Sequence, residues 1–425
     1  MKKCLALVTV LALLLTTGFM AVASAEEQIT LNFWHIWPTD QMNDIITAYI
    51  AQYESEHPNI KIVSSAYQEV DYQNTKLPIA ASTGSQGDVF FSWGAGSSQP
   101  YVDAGVVMQL DEYLEKYGVY DEILDGTLTN ATYNGHVYGL PLKQWAGVLY
   151  CNQELFDQYS LKIPETWDEL MTAVKTFREN GVTPMVLGAK DAWHIGMIQN
   201  CLAVRTAGPD YVNAALAGKE SMNTPAIAQS AQLLIDLNNA GAFATGTLGL
   251  GSEEAQEEFY MGMVGMYFGG SWVCSGVDSE DNDLVGKVTV TTMPTVPGGL
   301  GDTTTYSGGV IDMMMVNAKT AHPDEAFDFA LGMTKYMSQE CYKIGDSLPA
   351  WKLPGVDESD VSPTLVKVKE LIQNSTGYVL AWDTFLTGAA IDAHYQALQA
   401  LIAGTMTAEE FAAEMDKAVT AMYSK

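Results

Sequence analysis

The stretch FWHIWPTD gathers Trp34, His35 and Trp37 directly behind the strand-like run ITLN. Other tryptophans are placed in the same way: Trp93 before Gly94, Trp193 just after Asp191, Trp272 after Gly270-Ser271, and Trp382 before Asp383. Trp37, Trp93, Trp193, Trp272 and Trp382 each lie near Gly, Pro, Ser or Asp at a predicted strand end or loop. A tryptophan placed for core packing would sit inside an element. Rings presented this way can stack on a flat apolar face, and Gln68, Glu69, Gln144, Asp346 and Asp383 can pair with a rim of hydroxyls. A pyranose offers that combination of apolar face and hydroxyl rim. One stacking contact contributes roughly 1–2 kcal/mol and micromolar affinity needs about 8, so several rings and hydrogen bonds must converge.

The motifs of covalent and phosphate chemistry are missing. There is no G-x-S-x-G elbow, no H-E-x-x-H and no phosphate loop ending in Gly-Lys-Ser/Thr. Gly249-Leu250-Gly251 lacks the dinucleotide-binding spacing and reads as a loop. The six histidines are scattered, so neither a metal nor a cofactor is expected. A net charge of -30 argues against nucleic acid and anionic membranes as partners. Two alternatives to a saccharide receptor stay open. The rings and acids would also serve a polyamine or other cationic solute. An exported carbohydrate-active enzyme needs only two carboxylates among 51 acidic residues.

These residues require elements that bring distant segments to one place. Lys2 and Lys3, an apolar run and Ala23-Ser24-Ala25 read as a signal peptide over residues 1–25, which implies export. Ile29 to Trp34, Ile60 to Val63 and Asp88 to Trp93 read as strands separated by helical segments, the first of these helices opening at Asp40. That alternation predicts an α/β domain whose mainly parallel sheet carries ligands beyond its carboxyl ends. Thr166 and Glu169, and Thr407 and Glu410, have capping-box spacing. Crossings between two lobes are expected after Tyr138, in the loop Pro294 to Asp302, and at GDSLPAWKLPG; between the last two, Tyr306 opens the apolar strand Val310 to Val316. Cys151, Cys201, Cys274 and Cys341 match no zinc or redox spacing and are expected as buried free thiols, with two disulfides, which the sequence cannot pair, as the alternative.

The ordered set ITLNFW, GDVFFSWG, YGLPL, VLYCNQELFD with IPETWDEL, FYMGMVGMYFGGSW and LPAWK resembles the family 1 extracellular solute-binding proteins, the carbohydrate receptors of ABC importers related to maltose-binding protein. The resemblance spans nearly the whole mature chain. It implies a two-lobed periplasmic-binding-protein fold of type II, with residues 26–141 and 300–348 in one lobe and 142–299 and 349–425 in the other. It also implies a hinge of about three crossings, closure around a small-molecule carbohydrate, and permease subunits that read the closed form. On that pattern Trp193 and Trp272 stack from the second lobe, and Trp37, Asp88 and Trp93 contribute from the first, with bracing of its strand as the other role open to Asp88. The sequence departs from the pattern at Gly262-Met263-Val264-Gly265-Met266 and at Gly87. It also has Phe19 where Gram-positive relatives carry a lipobox cysteine, so a free periplasmic or secreted monomer is expected.

Overall fold

The computed structural model describes residues 28–424, and the signal peptide expected over residues 1–25 lies outside them. Strand β1 (Ile29–His35) turns Leu31, Phe33 and His35 inward and alternate residues outward, the period of a pleated chain. The helix Asp40–Glu56 buries Met42, Ile45, Ile46, Tyr49 and Tyr53, which its 3.6-residue turn sets on one face. Strands β2 (Ile60–Ala66) and β3 (Val89–Trp93) pair with β1 in parallel, and β3 is buried throughout.

Three more strands extend the main path of the seven-stranded first sheet: β4 (Leu140–Ala146), β9 (Thr305–Val316) and β10 (Leu348–Pro349). Its order is β10-β4-β9-β3-β1-β2, and β9 runs antiparallel to both β3 and β4. At its start β9 also pairs with β11 (Gly377–Val379). The second sheet has the order β8-β5-β7-β6, from β5 (Val148–Asn152), β6 (Thr183–Met185), β7 (Val264–Gly269) and β8 (Val288–Thr291).

A single residue, Gly147, separates β4 of the first sheet from β5 of the second. Its N–H donates to the Ser307 carbonyl at 2.7 Å, so two chain crossings touch there. Gly308 has φ +149° and comes so close to β4 that a Cβ would lie 2.3 Å from the Trp145 carbonyl oxygen, which only glycine tolerates. Residues 345–347 connect the long helix Pro323–Ile344, which packs on the first sheet, to β10 of the same sheet. Both expected capping boxes form, at Thr166 with Glu169 and at Thr407 with Glu410.

One apolar core runs from the first sheet into the helices Ala192–Ala207 and Pro225–Asn239, while a second lies on the other face of the second sheet around Tyr150, Phe259 and Leu365. The four cysteines among the described residues are free and buried, as expected, and burial pushes the Cys151, Cys201, Cys274 and Cys341 thiols upward. Among the described residues no helix is long and apolar enough to cross a membrane, and no group of three or more His, Cys, Asp or Glu is arranged to hold a metal ion.

Candidate ligand-binding site

The carboxyl end of β1 builds the first wall. His35 is buried, its Nδ1 accepts from the Trp37 backbone N–H at 3.2 Å, and its Nε2 therefore donates to the Ser64 hydroxyl at 2.9 Å. Burial lowers the His35 pKa to about 4, which keeps the ring neutral and this pairing fixed at physiological pH. His35 thus sets the turn that carries Trp37. The Trp37 ring meets Phe91 edge to face at 4.9 Å, and Phe91 meets Trp93 in the same manner at 4.9 Å. Trp34, half-buried, leans on Tyr67 at 5.2 Å.

The wall continues across the molecule along β4. Lys143 Nζ lies 5.7 Å from the Trp37 ring centre, and Trp145, two residues further, projects on the same side of the strand. Trp145 meets Trp272 at 5.5 Å, and Trp272 meets Trp193 at 6.2 Å. Trp272 follows the end of β7, and Trp193 lies in the first turn of the helix Ala192–Ala207, where a loop was expected. An arc of rings therefore runs from the first sheet's parallel strands to the second sheet, and Trp37, Trp193 and Trp272 keep part of their surface in solvent.

Charged groups collect beside this arc. Lys143 Nζ lies 2.7 Å from Asp346 and 3.8 Å from Asp312, with all three side chains largely shielded. Asp312 reaches Lys143 because β9 bulges between Val310 and Met313, and a bulge re-aims one side chain. Burial alone would lower the Lys143 pKa, but Asp346 and Asp312 outweigh it and hold the ammonium charged. Burial pushes Asp312 up to about 6, with Lys143 working against it. Glu69 is pushed up to about 7 by its protein surroundings and then by Asp312 and Asp383, although its side chain is exposed. Glu69 follows the carboxyl end of β2, at the same edge of the first sheet as the β1 end that leads to Trp37. Asp383, which accepts from the Tyr395 hydroxyl at 2.9 Å, is pushed up to about 6 by burial. Glu253, from the opposite half, also raises Glu69.

The model of the bacterial extracellular solute-binding protein family matches residues 39–338. The chain belongs to that family. A protein whose structure was solved in work on xylan utilization by the thermophilic bacterium Caldanaerobius polysaccharolyticus is 40% identical, with TM-score 0.89, over 92% of this chain and 99% of that one. An ABC transporter extracellular-binding protein of Pyrococcus horikoshii is 25% identical over 80% of this chain and 77% of its own. The multiple sugar-binding protein of Streptococcus mutans is 23% identical over 81% and 80%, respectively. The expected family and solute-binding fold are both borne out by these matches, but the sheets, expected to be mainly parallel, are mixed: β9 runs antiparallel to β3 and β4 in the first, and β5 antiparallel to both of its neighbours in the second.

Within this solute-binding fold the expected site residues separate into groups. His35, Trp37, Glu69, Trp93, Trp193, Trp272, Asp346 and Asp383 converge on the arc or its charged flank, although Trp93 is only 8% exposed and Asp346 is held by Lys143. Four residues lie elsewhere. Asp88 precedes β3 at the end away from the arc and accepts from the Asn32 N–H at 2.8 Å, the Asn32 amide at 3.1 Å and the Thr320 hydroxyl at 2.7 Å. That geometry makes it a brace between strands. Gln144 alternates away from Lys143 and Trp145 and donates to the Pro349 carbonyl at 2.7 Å, in a separate groove of about 460 Å³ beside Tyr342, Trp351 and Tyr378. Tyr306 is buried towards the same side, donating to the Leu371 carbonyl. Trp382 is sealed, stacked on His394 at 5.4 Å, so its contribution is to hold Asp383 in place rather than to offer a face. Sequence reasoning missed Lys143, Trp145, Asp312, Glu253 and Tyr395. Asp312 had a visible signal, a lone acid inside the apolar run VIDMMMV.

Proposed function

We propose that this solute-binding protein is the extracytoplasmic receptor of an ABC importer, capturing a mono- or oligosaccharide between two lobes and delivering it to a membrane permease. The observation that carries this reading is the arc of partly exposed indoles, Trp37, Trp272 and Trp193, drawn from both sheets and flanked by Glu69 and Asp383. A sugar ring stacks on the indoles while its hydroxyls donate to the carboxylates, and contacts to both halves favour the closed form by their differential affinity. The kinship with a protein solved in work on xylan utilization and with a multiple sugar-binding protein supports a carbohydrate guest. The two lobes are those expected, residues 26–141 with 300–348 and 142–299 with 349–425, with one change: β4 belongs to the first sheet and β5 to the second, so the first boundary moves from 141 to Gly147. The receptor works as a free monomer in the periplasm or outside the cell and leaves its guest uncut.

Thermal shift against a panel of mono- and oligosaccharides tests the reading, because a guest that binds only the native form raises Tm. A rise with at least one saccharide, which is recovered intact after prolonged incubation, is expected. A rise with spermidine alone, abolished by salt, would replace the saccharide by a polycation, the reading favoured by the carboxylates around Lys143.

A further inference from the structure

Glu69 is surrounded by charges from four separate parts of the chain. Asp312 comes from β9, Asp383 from the short helix Trp382–Phe385, Glu253 from the helix Ser252–Tyr260, and Lys143 from β4. The cation in this set is already committed: Lys143 sits between Asp346 at 2.7 Å and Asp312 at 3.8 Å. Asp383 is likewise engaged by a neutral donor, the Tyr395 hydroxyl, so it keeps its charge without a counterion at contact. Glu69 follows the carboxyl end of β2, next to the end of β1 that leads to Trp37, and the Trp382–Phe385 helix packs against Gly96 in the loop after Trp93. A guest stacked on the arc therefore lies against several carboxylates with no spare positive group among those that act on Glu69.

We infer that this trough accepts neutral or amino-bearing saccharides and turns away saccharides that carry a carboxylate, with Glu69 and Asp383 as the residues that discriminate. The inference rests on the saccharide-receptor reading above. A hydroxyl or an ammonium group donates to Glu69 and Asp383, while the carboxylate of a uronate can only accept and meets like charge there. The shifts of Glu69 to about 7 and of Asp383 to about 6 are the same unfavourable environment for negative charge, felt by the protein's own groups. The overall charge of -30 adds a repulsive field for anions at low salt.

The test is calorimetric titration at pH 7.5 of the full mature protein with three guests on one backbone: a neutral oligosaccharide, the same chain bearing one uronic acid branch, and an amino-sugar oligomer. The uronate form is expected to bind on the order of 100-fold more weakly than the neutral one, and the amino form at least as tightly. In Glu69→Gln and Asp383→Asn the uronate guest should gain about tenfold, a gain that misfolding cannot mimic. Equal affinity of neutral and uronate forms for the native protein, or an unchanged gap in both variants, would overturn the inference while leaving the receptor reading intact. Failure of every saccharide to bind would overturn the receptor reading and this inference with it.

Discussion

Replacing Lys143 by methionine removes the charge that ties three distant chain segments together. Lys143 stands on β4, Asp312 on β9 and Asp346 in the passage from the long helix to β10. At an effective dielectric of about 20, contacts of 2.7 and 3.8 Å correspond to roughly 6 and 4 kcal/mol of attraction, most of it offset by the cost of stripping water from the three groups. The variant does not recover that cost, because both carboxylates stay shielded. A buried pair broken on one side typically loses about 3–5 kcal/mol. With an unfolding entropy near 2.1 cal/mol/K per residue, about 400 residues give roughly 0.8 kcal/mol/K, so Tm should fall by about 4–6 °C. The deficit should be larger at pH 8 than at pH 5, because an Asp312 left without its cation relieves the cost by taking a proton in acid. Differential scanning calorimetry of native and Lys143→Met protein at the two pH values measures both effects. A Tm change under about 1 °C at pH 8, or a deficit indifferent to pH, would refute the reasoning.

Trp272→Ala removes the centre of the indole arc and should weaken saccharide binding by about 1–2 kcal/mol, roughly 5- to 30-fold by isothermal titration, because the lost face is one stacking contact. Asp88→Ala should do the reverse, costing about 1–3 kcal/mol of stability through three lost hydrogen bonds while the saccharide Kd stays the same; a Kd that moves would return Asp88 to the site. Asp312 and Asp383, pushed up to about 6, and Glu69, pushed up to about 7, hold protons in the native form that the unfolded chain has released. Stability of the unliganded protein should therefore fall as pH rises from 5 to 8, and Glu69→Gln should flatten that slope in calorimetric scans.

Periodicity and strand-end placement made much of the first sheet readable. Leu31, Phe33 and His35 alternate inward along β1, and its carboxyl end delivers Trp37 to the arc as the α/β rule requires. The capping boxes were readable for a related reason, since both partners lie within four residues of each other. Lys143 and Trp145 were not, because YGLPLKQWAG looks like a turn-rich passage and becomes a buried strand only through pairing with β9, over 160 residues away in the chain. Gln144 was assigned to the wrong side for the same reason: facing follows from strand register, and a bulge in the partner strand is invisible in the sequence. Trp382 shows the limit of reading exposure from neighbours. It sits beside Asp383 in a short connecting segment, yet His394 and Phe411, from helices further along the chain, close over it.

The shielded sulfurs have a practical consequence. Because Cys151, Cys201, Cys274 and Cys341 are all enclosed and resist forming thiolates, maleimide dyes should leave the folded chain from residue 28 onwards unlabelled. One engineered surface cysteine on each side of Gly147 would then take a donor and an acceptor fluorophore against a silent background. Energy transfer between the two would report the distance across the molecule, one particle at a time, as guests come and go.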